Sequence, residues 1–515
     1  MHTVTAAVAA IRLHPSDNVV VAREPIAPGS QVIPGDIVAI ERIPAGHKMA
    51  ARAIADGEPI VRYGEIIGFA HGGIAPGAHV HTHNCRLREF ARQYEFGTAL
   101  KTLEPPAAPA TFNGIVRPDG RIATRNYIAI LSSVNCSATV SRYIADAFRR
   151  HPATGDGLLA DYPNIDGVVA LTHRTGCGQA AEGEGIDVLR RTMGGFARHP
   201  NFAATFMIGL GCETNQVNDI ITTQRLKMAK TLQAFTIQET GGTRKTVERG
   251  IAQIKELLPD LNRVTRQPVP ASELVVALQC GGSDGYSGIT ANPALGVASD
   301  LVVRHGGTVI LSETPETYGA EHLLTRRAVS REVGEKLLAL FDWWRDYCAR
   351  NGGEFDNNPS PGNKLGGITT IVEKSLGALA KAGSTNLVDV LRYAEPVRAK
   401  GFVFMDTPGY DPVSVTGQVA GGANLICFTT GRGSVFGGVP APSLKLSTTT
   451  RLYERMPEDI DLNCGGIADG TDTIEACGAR IFEAMLRVAS GGKTKSEVQG
   501  FGEAEFAPWQ IGAVM

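Results

Sequence analysis

Residues 127–136 read YIAILSSVNC, an unbroken apolar run that ends in small polar residues and a cysteine. A run of this kind, rich in aliphatic residues, is expected to form a strand buried on both faces, as in parallel sheets. The same grammar recurs in VVALTHRTGC (168–177), TFMIGLGC (205–212) and LVVALQC (274–280). Helical patterns separate these runs, beginning with SATVSRYIADAFRRH (137–151), so an α/β region with a mainly parallel sheet is expected. Open sheets of that type place their ligands at the carboxyl ends of strands. Cys136, Cys177, Cys212 and Cys280 are therefore expected along one edge of one sheet.

The alternation extends in both directions from that stretch. Downstream come a polar helix near 217–232, a helix near 293–305, a strand at 307–312 and a long helix from 319 to 351. The segment GGEFDNNPSPGNKLGG (352–367) is too rich in Gly, Pro and Asn for regular structure, and reads as an interdomain linker or a long functional loop. Strands resume at 387–393, 401–405 and 424–429. Upstream, NVVVAR, IVAIERI, PIVRYGEIIGFA and HVHTH are short strands separated by PIAPGS, IPAGHK and IAPGAH turns. The expected organisation is a small all-β module (10–90), a linker (91–113) containing LEPPAAPA, a larger α/β domain (114–385) and a smaller C-terminal α/β domain (386–515).

With 515 residues the chain can bury large cores. Net charge is −2, aromatics are 6% and there is no basic block, so nucleic acid is not an expected partner. No apolar stretch approaches the ~18 residues of a membrane helix. The start, MHTVTAAVAAIRLHPSD, lacks a basic region followed by a long apolar core. Nine cysteines without a C-x-x-C pair argue against a disulfide framework or a zinc ribbon, so reduced thiols and a cytoplasmic location are expected.

The sharpest local motif is His79-Val80-His81-Thr82-His83-Asn84. On a strand, residues two apart share a face, and two neighbouring imidazoles suit one divalent ion, with a third ligand from elsewhere. A solvent-facing histidine hairpin is the alternative. Cys136 directly precedes a helix, whose dipole favours thiolate, and thiolates select softer metals such as Fe(II) or Zn(II). Ser283 and Asp284 follow Cys280, and Glu213 and Asn215 follow Cys212. Glu313 and Glu316 follow TVILS, and Asp406 ends GFVFMD. Helix caps and turn residues explain many such positions equally well. Lys48 in AGHKMA and Asn363-Lys364 in SPGNKLGG lie in glycine-flanked loops, where lysine clamps a carboxylate or acts as a base. Arg125-Asn126 reads as a substrate clamp or a salt-bridge anchor.

Together AGHKMA, HVHTHN, GIVRPDGRIATRN, GLGCE, CGGSDGYSGITANP, NPSPGNKLGGITT and TTGRG make this chain resemble the altronate/galactarate dehydratase family, from about residue 12 to 480. The resemblance implies an N-terminal SAF-type (β-clip) domain and a larger α/β catalytic region. It also implies a divalent-metal-dependent lyase, commonly iron-associated, acting on hexonates or aldarates. HVHTHN resembles the altronate branch, whereas ASELVVALQCGGSD and ASDLVVRHGGTVILSE resemble the galactarate branch. A related sulfolactate sulfo-lyase uses the same scaffold for C–S elimination, and SAF-like domains also bind sugars without chemistry.

The expected reaction is loss of the C2 proton and the C3 hydroxyl from an altronate-type sugar acid, giving a 2-keto-3-deoxy acid. Expected metal ligands come from His81, His83, Cys136, Cys177, Cys212 and Cys280, holding Fe(II) or Mn(II). Lys48, His47 and His173 are the candidate bases, with Lys364 also catalytic. Asn84, Arg125, Asn126, Ser283, Asp284, Asn363 and Arg432 are the candidate substrate contacts. A homo-oligomer is expected.

Overall fold

The structure, a computed structural model, describes residues 8–33, 37–88, 90, 92–151 and 154–515. The reading of the extreme N-terminus therefore lies partly outside the described residues.

The N-terminal region is all-β, as its alternating pattern and turn residues dictate. Its larger sheet runs in the order Ile37–Val38, Gln31–Ile33, Val8–Ile11, Val19–Ala22, Lys48–Ala50, His79–Val80. A second sheet pairs Pro59–Arg62, Glu65–Ala70 and Cys85–Arg86. Val19–Ala22 is buried at every position and forms the floor of this module.

The chain then enters a middle unit through Thr111–Val116 and leaves it through Arg266–Pro270, and these two strands pair antiparallel. Between them lies a four-stranded parallel sheet in the order Gly167–Leu171, Tyr127–Ser132, Phe202–Gly209, Leu232–Thr236. Tyr127–Ser132 is buried throughout, as its unbroken apolar run requires. Burying one such side chain, Leu131 for example, contributes about 1.5–3 kcal/mol.

The C-terminal unit is a seven-stranded parallel sheet. Its order is Leu387–Leu391, Gly401–Met405, Thr308–Leu311, Val275–Cys280, Leu425–Thr430, Ser443–Ser447, Leu462–Asn463. From Val275–Cys280 the chain builds outward on one side, then returns to build from Leu425–Thr430 on the other. The reversal makes the carboxyl ends of these two strands a topological switch point, where open α/β sheets bind ligands.

Three expectations are corrected. The four cysteines lie on two sheets: Cys136, Cys177 and Cys212 follow strands of the middle sheet, and Cys280 ends a strand of the C-terminal one. The expected division at 385/386 cuts through a single sheet, because Thr308–Leu311 pairs directly with Gly401–Met405. The glycine-rich stretch at 352–367 thus connects elements of one unit. The helix expected at 217–232 ends at Thr223, and Leu232–Thr236 forms an edge strand that its polar composition conceals. The tail packs on the body, with Trp509 stacked on Trp344 at 5.4 Å.

Candidate active site at the seven-stranded sheet

At the switch point the loop after Cys280 meets the loop after Thr430. Gly431 and Arg432 both donate backbone N–H bonds to the carbonyl of Gly282, at 3.1 and 2.7 Å. The segment 362–368 lies across this edge, with Gly285 N–H bonded to the carbonyl of Gly366 at 2.8 Å. The β-module turn 44–48 closes over both. A Cβ on Gly285 would drive into the carbonyl of Gly46, so only glycine permits this backbone-to-backbone approach. Tyr286 fixes the dock by donating its hydroxyl to the carbonyls of Ala22 and Arg23, at 3.1 and 2.6 Å.

Two polar centres form beneath this cover. In the first, Cys280, Glu313 and Glu316 are buried and bring one ligand atom each within 4.8 Å of the others. Among the described residues this is the one group of three or more His, Cys, Asp or Glu side chains so arranged. Cys280 Sγ lies 3.5 Å from Glu313 Oε2 and 3.8 Å from Glu316 Oε2. Glu313 sits in the left-handed region at φ +67°, a conformation costly for a side chain with a Cβ, which turns it back toward the cysteine. Lys381 Nζ contacts Glu313 at 2.9 Å and Lys374 Nζ contacts Glu316 at 2.8 Å. Gln279 donates to Glu313 at 2.7 Å and to Asp411 at 3.2 Å.

Three carboxyl groups against two ammonium groups leave this pocket short of positive charge. Burial, reinforced by Glu316 and Asp411, pushes Glu313 up to about 8. Burial and Glu316 push Asp411 up to about 7, and burial pushes the Cys280 thiol up to about 12. A thiol and a carboxyl held protonated for want of positive charge would ionise against a divalent ion, and the mixed sulfur and oxygen set fits one of intermediate softness.

The second centre joins the β-module to the sheet. Lys48 Nζ contacts Glu373 at 2.8 Å and the carbonyl of Gly367 at 2.6 Å. Arg62 pairs with the same carboxylate, and Thr369 donates its N–H to it at 2.7 Å. Burial works against the charge on Glu373, yet Lys48, Arg62 and Thr369 hold it down at about 2. Burial likewise pulls Lys48 down against the pull of Glu373, and the close contacts with acceptors on both sides place it in the pair as an ammonium. Glu373 and Lys374 are consecutive on the helix Ile371–Leu379, so one turn of helix serves both centres.

Beside Lys48 is a histidine cluster. His47 Nδ1 lies 3.0 Å from His79 Nε2, and the His47 and His81 rings are 4.9 Å apart. His47 Nε2 and His81 Nε2 bond the carbonyls of Leu365 and Lys364, at 3.2 and 2.8 Å. Carbonyls only accept, so both Nε2 atoms carry protons; His79 Nε2 then donates to His47 Nδ1. The Nδ1 lone pair of His79 is left as an acceptor, and that of His81 accepts from the Thr82 hydroxyl at 3.1 Å. Burial, with the neighbouring imidazoles, lowers His79 to about 3, and burial lowers His81 to about 4, so both are neutral near pH 7.

The remaining expected residues fall in varied places. The histidine strand ends at Val80, and His81–Asn84 form a turn in which Asn84 bonds the backbone of His79 and His81. His83 is exposed and does not join the cysteines. Cys136, Cys177 and Cys212 are exposed on the other sheet, so the expected histidine–cysteine ligand set is not assembled. Arg125 spends its guanidinium on Glu497 and three carbonyls in the interior. Asn126 is likewise saturated by Arg117, Asn164 and Leu261. Neither has a donor left for a substrate. His173 belongs to the middle sheet, where both ring nitrogens are engaged, by the carbonyl of Ser132 and the N–H of Thr175. Asp284 ties its own loop to Thr448, and Asn363 caps its helix and bonds the carbonyl of Ser283. Lys364 lines a cleft of about 650 Å³ with Arg86, Arg88 and Arg345. Arg432 is exposed beside Gly282.

The residues that sequence reasoning missed are Arg62, Glu373, Lys374, Lys381, Gln279 and Asp411. The signal for three of them was present in TTIVEKSLGALAKAG (369–383): charges inside an otherwise apolar helical run are buried and paired.

A parallel sheet with buried acid, base and thiol groups at its switch point defines an enzyme of the open α/β class. Family comparison makes this specific. Residues 8–88 match the altronate/galactarate dehydratase SAF domain, 114–262 the D-galactarate dehydratase/altronate hydrolase second domain, and 271–514 the D-galactarate/altronate dehydratase C-terminal domain. The chain is 40% identical to galactarate dehydratase (L-threo-forming) of Escherichia coli, over 94% of this chain and 93% of that protein. It is 35% identical to altronate dehydratase of Bacillus subtilis, over 96% and 97%. It is also 32% identical to the β subunit of (2R)-sulfolactate sulfo-lyase from Chromohalobacter salexigens, over 76% and 96%. The chain belongs to the galactarate/altronate dehydratase family, and is a hydro-lyase of the sugar-acid dehydratase class.

Proposed function

We propose that this enzyme dehydrates a six-carbon aldarate of the galactarate type, with altronate as the alternative substrate, at the carboxyl edge of the seven-stranded sheet. The observation that carries this reading is the buried Cys280–Glu313–Glu316 group at the switch point, flanked by Lys374 and Lys381. Higher identity to the galactarate enzyme, 40% against 35%, favours the aldarate. So does the cleft beside Thr369 and Lys364, lined also by Glu354 and Asp356, where Arg86 and Arg88 offer guanidinium groups to a second carboxylate.

Cys280, Glu313 and Glu316 would hold a divalent ion, Fe(II) or Mn(II), which when bound supplies positive charge where the enediolate develops. The chain's own groups do the rest. Lys374 and Lys381 keep the glutamates in place and stop them repelling an anionic substrate. The neutral Nδ1 of His81 exchanges its bond from the Thr82 hydroxyl for the C2 proton, with the Nδ1 of His79 beside it. Lys48, clamped by Glu373, sets a fixed positive charge beside His47 and orients the substrate carboxylate. Closure by the β-module keeps water from the site while the C3 hydroxyl departs.

A screen of hexonates and aldarates for 2-keto-3-deoxy product, with and without added Fe(II) or Mn(II), tests the reading. Galactarate turnover that depends on added metal is expected. Full activity after strict chelation would remove the metal from the account. Sulfite release from sulfolactate without any keto-deoxy acid would replace dehydration with C–S elimination, which the likeness to the sulfo-lyase subunit keeps as the second reading.

A further inference from the structure

The reaction above uses one of the four strand-end cysteines. The other three stand together elsewhere. The middle sheet has its own switch point: from Tyr127–Ser132 the chain builds to Gly167–Leu171 on one side, then to Phe202–Gly209 and Leu232–Thr236 on the other. Cys136 follows the first of the two central strands and Cys212 the second, with Cys177 on the loop alongside.

These loops are knitted together next to each cysteine. Asn135 donates its N–H to the carbonyl of Thr175 at 3.0 Å, and Asn215 donates to the carbonyl of Gly176 at 2.9 Å. Ser133 Oγ donates to Glu213 at 2.6 Å, and Asn215 Nδ2 to the carbonyl of Ser133 at 3.0 Å. Gly176, at φ +103°, packs so tightly on Ser133 and Val134 that a Cβ there would collide with backbone. All three cysteines are nevertheless exposed, whereas Cys85, Cys280, Cys427, Cys464 and Cys477 are buried. Free cysteine normally behaves as a buried apolar residue, so three exposed thiols at one ligand-binding edge call for a ligand. Gln238 supplies an N–H donor 3.4 Å from Cys212 Sγ, the kind of contact that tunes a metal-bound sulfur.

We propose that Cys136, Cys177 and Cys212 ligate an iron–sulfur cluster, with one iron left open to solvent or a small oxygen ligand. Spacing argues against a single ion. Thiolates on one tetrahedral zinc stand about 3.8 Å apart, given a Zn–S distance near 2.3 Å. The three Sγ atoms here are not all within 4.8 Å of one another. In a cubane each thiolate takes a different iron corner, and the sulfurs stand farther apart. The site goes beyond the dehydration reading, because it uses none of the residues of the C-terminal centre.

The full chain, purified without oxygen and reconstituted with ferrous iron and sulfide, provides the test. Near-equal iron and acid-labile sulfide, a broad visible charge-transfer absorption and an EPR signal in one redox state are expected. The triple variant Cys136→Ala/Cys177→Ala/Cys212→Ala should lose sulfide, absorption and EPR signal together while keeping the circular dichroism and melting temperature of the cluster-free wild type. Cys280→Ala should keep the cluster signals. Iron without sulfide, a single bound zinc, no uptake at all, or a cluster that survives in the folded triple variant would each overturn the proposal. Failure of galactarate turnover would not bear on it.

Discussion

The two parallel sheets of this chain solve the same problem in opposite ways. Both reverse their strand order near the middle, and both place cysteine at the carboxyl ends next to the reversal. At the C-terminal sheet the edge is roofed by the 362–368 segment and by the β-module, and Cys280 is buried among paired acids and lysines. At the middle sheet the edge is open, and Cys136, Cys177 and Cys212 face solvent. Strand topology creates a ligand position in each case. What covers the edge then decides whether the chemistry there is a desolvated charge network or an accessible thiol cluster.

If that contrast is sound, breaking the roof should cost far more than altering the open edge. Lys48→Ala leaves Glu373 buried with only Arg62 as its charged partner, and should destabilise the protein by about 3–5 kcal/mol in denaturant melts. Gly285→Ala forces the β-module away from the sheet, with an expected loss of about 1–3 kcal/mol. Acid sharpens the same point. Glu373 has a folded value of about 2 against an ordinary 4.5, so its contribution is full above 4.5 and is lost as pH falls through 2. Stability measured from pH 5 to pH 2 should fall more steeply in wild type than in Glu373→Gln. The smallest effect belongs to the open edge: in metal-free protein, Cys136→Ala, Cys177→Ala and Cys212→Ala should each stay within about 0.5 kcal/mol of wild type. Iodoacetamide should label those three thiols in the folded, cluster-free protein but spare Cys280, whose thiol is held at about 12 by burial, until unfolding.

Strands were readable because burial on both faces writes itself as an unbroken apolar run: LVVALQC lies within a residue of its expected place, and the run at 127–136 starts where expected but ends at Ser132, where the apolar residues give way to serine. Sheet membership was not, because identical apolar grammar serves two different sheets. Leu232–Thr236 hid because an edge strand carries polar residues on its open side. The glycine loops and the β-module turn were recognisable as site material, since backbones that touch have no room for side chains. Arg125 misled for a related reason: a buried arginine saturated by carbonyls and one carboxylate looks, in sequence, like an arginine waiting for a substrate. The partners that make the site, Glu373 and Lys374, lie some 300 residues from Lys48, and nothing local in the sequence joins them.

The central claim is that dehydration occurs at Cys280, Glu313 and Glu316. Galactarate turnover by Glu316→Gln, assayed with Fe(II) in excess and at a temperature where its melt shows it folded, addresses it most directly. The account predicts a fall of roughly 10–100-fold, the range that loss of a metal-supporting group produces. Turnover equal to that of wild type in the folded variant would contradict it.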